Sequence, residues 1–439
     1  ISQWINGNQS GYCLGFEGPP GTGKTSLAKQ GISKCLRDSE GKTRPFAFIA
    51  VGGSANASTF EGHSYTYVGS TWGKIVDILM ETECMNPIIY IDELDKISNT
   101  ENGKEIIGLL THITDPSQNN AFQEKYFSGI PLDLSKVLFI FSYNDYHKID
   151  PILADRIHRI KFHRLDRNDK KTIVNQYMLP ELLDMVGFSK NAISFSDETL
   201  EWLIDSYTCE AGVRKCKERI FELVRQTNLD WMLQNNTHQE TNFPLELSKS
   251  MIETIFQNRT KIERTRISDK PRVGMVNGLF ASTSGLGGLT LIEVYQTLSD
   301  NILSLELTGQ QGDVMKESVK CARTIAWNLL TPKQQQTLKK RWKEKDAWGI
   351  HVHCPEAATP KDGPSAGCAI TLAIYSLLLK RPVKHNIAMT GEIDLNGKAL
   401  KIGGLDMKID GAKMAGVECV ICPEANKDDI EWIIRNNPN

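Results

Sequence analysis

Gly18-Pro19-Pro20-Gly21-Thr22-Gly23-Lys24-Thr25 decides the fold of the first part of the chain. The stretch is a complete GxxxxGK[ST] loop, in which the glycines let successive backbone N–H groups close around phosphates. The apolar run Tyr12–Phe16 precedes it and a helical pattern follows, which is the strand–loop–helix context that the motif requires. The loop therefore predicts a nucleotide site, where Lys24 adds positive charge and Thr25 a ligand for Mg²⁺.

Three more apolar runs follow the loop and alternate with polar or amphipathic segments. They are Ala47–Val51, Ile88–Ile91 and Val137–Phe141, and we expect each to be a buried strand. Segments between such strands form crossover helices, so the pattern predicts a parallel sheet covered on both faces. We therefore expect an α/β nucleotide-binding subdomain over residues 1–158.

Polar side chains stand where two of these strands end. Asp92 follows one buried run and suits the magnesium shell, while Glu93 would orient and deprotonate the attacking water. A nucleotide-sensing switch would not need the second carboxylate, so Glu93 favours ATP hydrolysis. Asn144 follows the next run along the chain, where its amide could reach the γ-phosphate.

Helical periodicity dominates residues 159–258. Apolar residues at Leu200, Leu203, Ile204 and Tyr207 lie on one helix face, and Ser196 is a candidate cap. The following polar stretch, residues 259–271, is typical of a linker. A mixed α and β pattern then continues over residues 272–439.

The bulk composition excludes several classes of protein. A length of 439 residues predicts two to three domains, and 40% apolar with 24% charged residues is typical of a soluble globular protein. The formal charge of −2 supplies no large attraction to nucleic acid or anionic lipid. The apolar stretch Cys368–Leu379 is too short to span a bilayer and favours a buried helix. The ten scattered cysteines indicate reduced thiols in an intracellular protein.

A second chemical motif lies in the last part of the chain. Asp362-Gly363-Pro364-Ser365-Ala366-Gly367 precedes the apolar helix, so Ser365 would lie at a helix start. Backbone N–H groups there could stabilise an oxyanion, although a serine at this position could equally be a helix cap. The pattern also fits the nucleophile elbow of α/β-hydrolases. That class is excluded because the only later histidine is His385, with no carboxylate between the two.

A serine without a usable histidine needs another base, and lysine is the known alternative. Helical spacing puts Lys408 on the same side as Leu405, Ile409 and Ala412. Burial on that side would lower the pKa of the amine and make it a usable base. The competing interpretation is an ordinary lysine that extends its charged end into solvent.

Three stretches of the last part of the chain, residues 351–367, 388–393 and 402–408, match one known family most specifically. With them, the whole chain resembles the Lon family of ATP-dependent proteases. The resemblance implies that Ser365 is the nucleophile and Lys408 its base, that Thr390 is the threonine beside the lysine, and that Asp362 is the acidic residue before the nucleophile. It also implies an AAA+ P-loop module, an all-helical lid subdomain and an α+β peptidase domain.

The ATPase half carries further matches to the same family. The resemblance implies that Arg156 reaches into the nucleotide site of a neighbouring subunit, and that Arg214 is the lid arginine that senses nucleotide. It implies that Tyr67 and Val68 belong to a pore loop, although Tyr67 could instead be a core aromatic. Together these features imply a homo-oligomeric ring, hexameric in the family, that uses ATP and Mg²⁺ to act on unfolded or damaged proteins.

Two other functions remain open at the level of sequence. One is an AAA+ remodeller or unfoldase without proteolysis, and the other is a nucleic-acid-handling ATPase that carries a Lon-like domain. The second would predict a basic surface with aromatic residues, which the balanced charge does not indicate. We expect a cytoplasmic or organelle-matrix protein without membrane association. Ile1 is neither a translation start nor part of a signal peptide, and the family's N-terminal domain and last C-terminal elements are missing, so we expect a piece of a longer protein.

Overall fold

The computed structural model divides into two compact units. It describes residues 13–37, 41–52, 56–98, 100–189, 191–235, 244–262, 265–282, 285–299, 301–344, 348–355 and 361–436. The first unit comprises Ile1–Ile204 and Glu210–Gln257, and the second comprises Asp205–Cys209 and Asn258–Asn439. Tyr12, where the first strand was predicted to begin, lies outside the described residues.

The first unit contains nine strands and eleven α-helices in its described residues. The strands are β1 (Cys13–Glu17), β2 (Phe46–Ala50), β3 (Ile88–Asp92), β4 (Phe122–Gln123), β5 (Pro131–Leu132), β6 (Leu138–Tyr143), β7 (His158–Lys161), β8 (Ile193–Ser194) and β9 (Leu245–Glu246). The helices are α1 (Lys24–Ser26), α2 (Ser33–Cys35), α3 (Ser58–Glu61), α4 (Lys74–Thr82), α5 (Glu101–Thr114), α6 (Pro151–Asp155), α7 (Arg167–Ile173), α8 (Leu179–Val186), α9 (Asp197–Tyr207), α10 (Arg214–Asn235) and α11 (Lys249–Ile255). A π-helical stretch, Leu27–Ile32, joins α1 to α2.

A five-stranded parallel sheet in the order β2-β3-β6-β1-β7 forms the centre of this unit. Its four predicted strands all form, with bounds within two residues of those expected. β1, β3 and β6 are buried on both faces because helices cover the sheet, as the apolar runs indicated. The carboxyl ends of parallel strands share one edge, so the loops after these three strands meet there.

The fifth strand was not expected. β7 (His158–Lys161) pairs with β1 at the sheet edge, and three of its four residues are exposed. An exposed edge strand can carry polar residues throughout and so lacks the apolar run that revealed the others. The sheet therefore extends past residue 158, where the predicted α/β segment ended.

The helical segment that follows contains α7 to α11. Leu200, Leu203, Ile204 and Tyr207 are all buried, as their spacing predicted. The hydroxyl of Ser196 accepts a hydrogen bond from the N–H of Thr199 and caps α9. This segment is not purely helical, because β8 and β9 form a short parallel pair that no sequence pattern indicated.

The second unit is a mixed sheet covered by helices. Its strands are β10 (Met275–Ala281), β11 (Gly287–Leu298), β12 (Leu305–Thr308), β13 (Trp348–His353), β14 (Ile387–Met389), β15 (Glu392–Ile393), β16 (Ala399–Leu400) and β17 (Cys419–Ile421). Its helices are α12 (Asp313–Asn328), α13 (Pro332–Glu344), α14 (Gly367–Leu379), α15 (Leu405–Ala415) and α16 (Lys427–Asn436).

Six of these strands form one sheet in the order β12-β13-β11-β10-β14-β17. The apolar helix α14 packs into the core beside α12, and most of its side chains are buried, which confirms the prediction for Cys368–Leu379. α15 lies directly on β11, because a Cβ at Gly411 would approach the backbone nitrogen of Gly288 to 2.3 Å. Within the described part of the chain, no helix combines the length and the apolar character needed to cross a bilayer.

Candidate functional site

The phosphate-binding loop connects β1 to α1 at the shared edge of the parallel sheet. Gly21 and Gly23 have φ angles of +77° and +91°, a left-handed region that other residues rarely adopt. The N–H of Gly18 donates to the carbonyl of Tyr143 at 3.2 Å and fixes the start of the loop to β6. The hydroxyl of Thr22 closes the loop onto the carbonyl of Pro19 at 2.9 Å.

Lys24 is buried and turned toward its own loop. Its amine donates to the carbonyls of Gly18 and Pro19 and, at 3.2 Å, to the side-chain oxygen of Asn144. Burial lowers the pKa of Lys24, while the charges of Asp92 and Asp95 oppose that shift. The predicted lysine and the predicted amide are therefore in contact, although 120 residues separate them in sequence.

The two carboxylates after β3 have different surroundings. Asp92 accepts the N–H of Glu93 at 2.9 Å, and Glu93 forms an ion pair with Lys96. Glu93 has a φ of +62°, which is unusual for a residue with a side chain and is typical of functional sites. A Cβ at Gly52 would lie 2.3 Å from Glu93 Oε2, so a glycine makes room for this carboxylate.

Asp95 is a site residue that the sequence analysis missed. Its Oδ2 accepts the backbone N–H groups of Asn144 and Asp145, each at 3.2 Å. Its other oxygen, Oδ1, is buried and has no hydrogen-bond partner among the described residues. The sequence Asp92-Glu93-Leu94-Asp95 could have predicted this residue. A third acid so soon after the buried strand must lie near the same sheet edge.

Arg214 begins helix α10 directly against the phosphate-binding loop. The N–H of Val213 donates to the carbonyl of Gly21 at 3.0 Å. A Cβ at Gly21 would lie 3.2 Å from the Cβ of Arg214, so a glycine permits this close approach. The lid arginine predicted from the resemblance thus lies beside the loop, and its charge helps to lower the pKa of Lys24.

The residues at this edge fit a magnesium–nucleotide complex. The glycines with positive φ angles form a loop that has open space at Gly23. Thr25 and Asp92 offer the hard oxygen ligands that Mg²⁺ prefers. The hydroxyl of Thr25 donates to that of Tyr90 at 3.2 Å. The described residues contain no cluster of three or more His, Cys, Asp or Glu side chains that could hold a metal ion without nucleotide.

Arg156 is engaged elsewhere in the same unit. Its guanidinium pairs with Asp115 at 2.8 Å and donates to the carbonyl of Thr111 at 3.1 Å. Hydrogen bonds from Ser117 and the pairing with Arg156 lower the pKa of Asp115 to about 2. The arginine predicted to act on a neighbouring subunit is therefore held against α5 of its own chain.

Tyr67 and Val68 lie on an exposed loop between α3 and α4. Tyr67 is 71% exposed and Val68 is fully exposed. The alternative that Tyr67 is a core aromatic is therefore wrong. Two exposed apolar side chains at the tip of a loop are suited to contact with another polypeptide.

In the second unit, Ser365 lies in a short 3₁₀ turn, Pro364–Ala366, that leads directly into α14. The carbonyl of Ser365 accepts the N–H of Gly391 at 2.8 Å. The N–H groups of Gly367 and Cys368 donate to the carbonyls of Pro364 and Gly391. Two of the donors expected to face an oxyanion are thus occupied in this conformation.

Lys408 is 3% exposed and projects from α15. Its amine donates to the hydroxyl of Thr390 at 3.2 Å, and that hydroxyl donates to the carbonyl of Ser365 at 3.2 Å. Burial lowers the pKa of Lys408 to about 8. The alternative of a lysine that extends into solvent is therefore wrong. Three residues predicted for the peptidase site, far apart in sequence, are brought together.

Asp362 contacts backbone groups. Its Oδ1 accepts the N–H groups of Met315 and Gly363, each at 3.1 Å. Met315 lies in the first turn of α12, whose N-terminal cap is Gly312 and has no side chain. Asp362 therefore supplies the missing cap from 47 residues away and fixes the segment before Ser365 to α12. This geometry makes Asp362 a positioning residue for the segment of Ser365.

Comparison with protein-family models agrees with this order of elements. Residues 14–165 match the ATPase family associated with various cellular activities, residues 184–240 match the Lon protease AAA+ ATPase lid domain, and residues 247–437 match the Lon protease (S16) C-terminal proteolytic domain. The chain thus has an AAA+ α/β module, a helical lid and a Lon-type α+β domain.

Individual curated proteins match over almost the entire chain. The chain is 36% identical to a Lon protease homolog of Acanthamoeba polyphaga mimivirus, covering 100% of the chain and 47% of that protein. It is 37% identical to Lon protease of Campylobacter jejuni, with coverage of 96% and 52%, and 37% identical to the mitochondrial Lon protease homolog of Bos taurus, with coverage of 98% and 43%. The chain spans about half the length of the curated relatives that it matches. With lid and proteolytic domains of Lon type in one polypeptide, the chain belongs to the Lon protease family.

Proposed function

We propose that this chain carries the ATPase and peptidase activities of an ATP-dependent serine endopeptidase. The observation that carries the proposal is the contact between Lys408 and Thr390, because it places a buried lysine of lowered pKa beside the segment of Ser365. A structural lysine would gain nothing from burial, which costs free energy for a charged amine.

The peptidase chemistry requires a neutral amine at Lys408. With a pKa of about 8, deprotonation at pH 7 costs about 1.4 kcal/mol, against about 5 kcal/mol for an ordinary lysine. The amine takes the proton of the Ser365 hydroxyl as the oxygen attacks the peptide carbonyl. The protonated amine then donates to the leaving nitrogen as the C–N bond breaks. The amine, neutral again, then takes a proton from water as the water oxygen attacks the acyl carbonyl, and it returns that proton to the Ser365 oxygen as the ester bond breaks.

The ATPase chemistry belongs to the edge of the parallel sheet. Lys24 and the backbone N–H groups of residues 21–25 would bind the phosphates, and Glu93 would orient and deprotonate the attacking water. Thr25 and Asp92 would hold Mg²⁺, which would neutralise charge at the phosphates. Asn144 and Arg214, in contact with Lys24 and the loop, would report whether the γ-phosphate is bound.

The two activities are coupled through movement of a polypeptide. Peptide hydrolysis is thermodynamically downhill and needs no ATP. The ATPase instead supplies the energy that unfolds and translocates the substrate. Tyr67 and Val68 would grip the chain through apolar contacts that do not depend on its sequence. The substrates are unfolded or damaged proteins, and the assembly is a homo-oligomeric ring, hexameric by analogy with the family. Arg156, held by Asp115 of its own chain, would act on the nucleotide site of the neighbouring subunit. The compartment is the cytoplasm or an organelle matrix.

An AAA+ remodeller without proteolysis is the less favoured function. Such a protein would need neither a buried lysine nor a threonine that links it to a serine, and both are present here. The comparisons with Lon proteolytic domains also favour peptidase activity.

Covalent labelling tests the proposal without a protein substrate. A fluorophosphonate probe reacts only with an activated serine, and mass spectrometry identifies the labelled residue. We expect label on Ser365 and none in the Lys408→Met variant, whose side chain keeps the length and loses the amine. Labelling of wild type and variant at the same rate would contradict the Ser–Lys assignment.

A further inference from the structure

A buried carboxylate lies beneath the exposed loop that carries Tyr67 and Val68. Glu124 is 1% exposed and follows β4. Its Oε1 accepts the N–H of Gly73 at 2.9 Å, and its Oε2 accepts the N–H of Phe127 at 2.8 Å. A buried carboxylate is costly unless it is hydrogen-bonded, and here each oxygen has a backbone donor.

Both ends of the exposed loop, residues 62–73, meet at this carboxylate. A Cβ at Gly62 would lie 1.9 Å from Glu124 Oε1, so a glycine is needed where the loop begins. Gly73, which donates to the same oxygen, is where the loop ends and α4 begins. The N–H of His63 donates to the carbonyl of Thr71 at 3.2 Å and closes the base of the loop.

The turn on the far side of Glu124 is itself attached to the loop. Lys125 forms an ion pair with Glu61, and its N–H donates to the Glu61 carbonyl at 2.9 Å. The Tyr126 ring packs edge-on against Trp72, with centroids 6.0 Å apart. Backbone, charged and aromatic contacts therefore join residues 124–127 to both ends of the loop.

We propose that Glu124 is a positioning residue that anchors the loop 62–73 to the ATPase core. The loop tip has two exposed apolar residues but its base is fixed by one buried side chain, so force on the tip passes to α4 and the 124–127 turn. The proposal concerns the mechanics of the loop, and it rests on the proposed function only where Tyr67 is taken to grip a polypeptide.

Limited proteolysis tests the anchor independently of any activity. Chymotrypsin cleaves after exposed tyrosines, and Tyr65 and Tyr67 are both exposed. We expect Glu124→Ala to raise cleavage at these two sites about tenfold or more, because the N–H groups of Gly73 and Phe127 both lose their acceptor. Glu124→Gln keeps an acceptor for the Gly73 N–H and loses the one for the Phe127 N–H. Its cleavage rate should therefore lie between those of the wild type and of Glu124→Ala.

Matched controls separate the anchor from a general role in folding. Tyr177 is 68% exposed on the helical segment, and its cleavage should not change in any variant. Glu105→Ala removes an exposed acid on α5 and should behave as the wild type. Unchanged cleavage at Tyr65 and Tyr67 in Glu124→Ala would overturn the proposal, as would faster cleavage at Tyr177 together with the loop sites.

A double-variant comparison tests the link to substrate. The KM for an unfolded protein substrate should rise in Glu124→Ala and in Tyr67→Ala, and the double variant should be no worse than Tyr67→Ala alone. If the KM increases of the two single variants multiply in the double variant, the link between Glu124 and Tyr67 is overturned. If the wild type degrades no protein, the proposed function fails, while the proteolysis result still decides the role of Glu124.

Discussion

The amine of Lys408 donates a hydrogen bond to the hydroxyl of Thr390, which lies 3.2 Å away. The same hydroxyl uses its proton to bond the carbonyl of Ser365. Since a hydroxyl has one proton, these two bonds fix its orientation and leave a lone pair for the lysine. Thr390 thereby holds the amine of Lys408 beside the segment of Ser365.

Replacing Thr390 by valine tests this positioning. Thr390→Val keeps the shape of the side chain and removes both hydrogen bonds, so we expect peptide cleavage to fall by about tenfold to a hundredfold. Thr390→Ser restores the hydroxyl and should recover most of the rate. A fully active valine variant would contradict a role for this hydroxyl.

The pH dependence of peptide cleavage reports the protonation of Lys408. In the proposed mechanism the neutral amine is the base, so the rate should rise with pH and level off above a pKa of about 8. An exposed lysine would instead keep the rate rising until the pH exceeded about 10. Measuring acylation of a small ester from about pH 6 to about pH 10 distinguishes the two curves.

Two variants of the ATPase site should affect nucleotide binding and nucleotide hydrolysis differently. Glu93→Gln removes the proposed base but not the proposed phosphate ligands, so the variant should bind ATP and hydrolyse it at least about a hundredfold more slowly. Lys24→Ala removes the buried amine and should lower the affinity for ATP. Fluorescence titration and phosphate release measure the two properties. Equal loss of binding in both variants would contradict the separate roles.

Asp95 should act on hydrolysis through Asn144. Asp95→Ala removes the acceptor for the backbone of Asn144 and Asp145, so we expect about tenfold slower hydrolysis with little change in ATP affinity. Asp95→Asn keeps an acceptor and should be milder. Combining Asp95→Ala with Asn144→Ala should add little to Asn144→Ala alone, and a multiplied defect would show that the two act separately.

Much of the fold was predictable because its signals are contiguous in sequence. The P-loop and the buried run before it identify the parallel sheet, and the spacing of Leu200 and Leu203 identifies a helix face that is buried in the structure. The side of α15 that carries Lys408 was likewise predictable from helical spacing. Each of these features depends on residues that lie close together in sequence, within about two helical turns or within one strand.

The rest depends on contacts between distant residues. Glu124 bonds Gly73 across 51 positions, and Asp362 caps a helix that begins 49 residues earlier. No local pattern marks such partners. The edge strand His158–Lys161 was missed for a different reason, since its exposed side chains need not be apolar.

Degradation of an unfolded fluorescent protein tests the central claim most directly. It should be measured with and without ATP and Mg²⁺, for the wild-type chain and for Ser365→Ala, with particle size recorded for both. The account predicts cleavage that requires ATP and disappears in the variant, while ATP hydrolysis continues. ATP hydrolysis by an assembled ring with no cleavage in either protein, or equal cleavage in both, would contradict a coupled Ser–Lys protease.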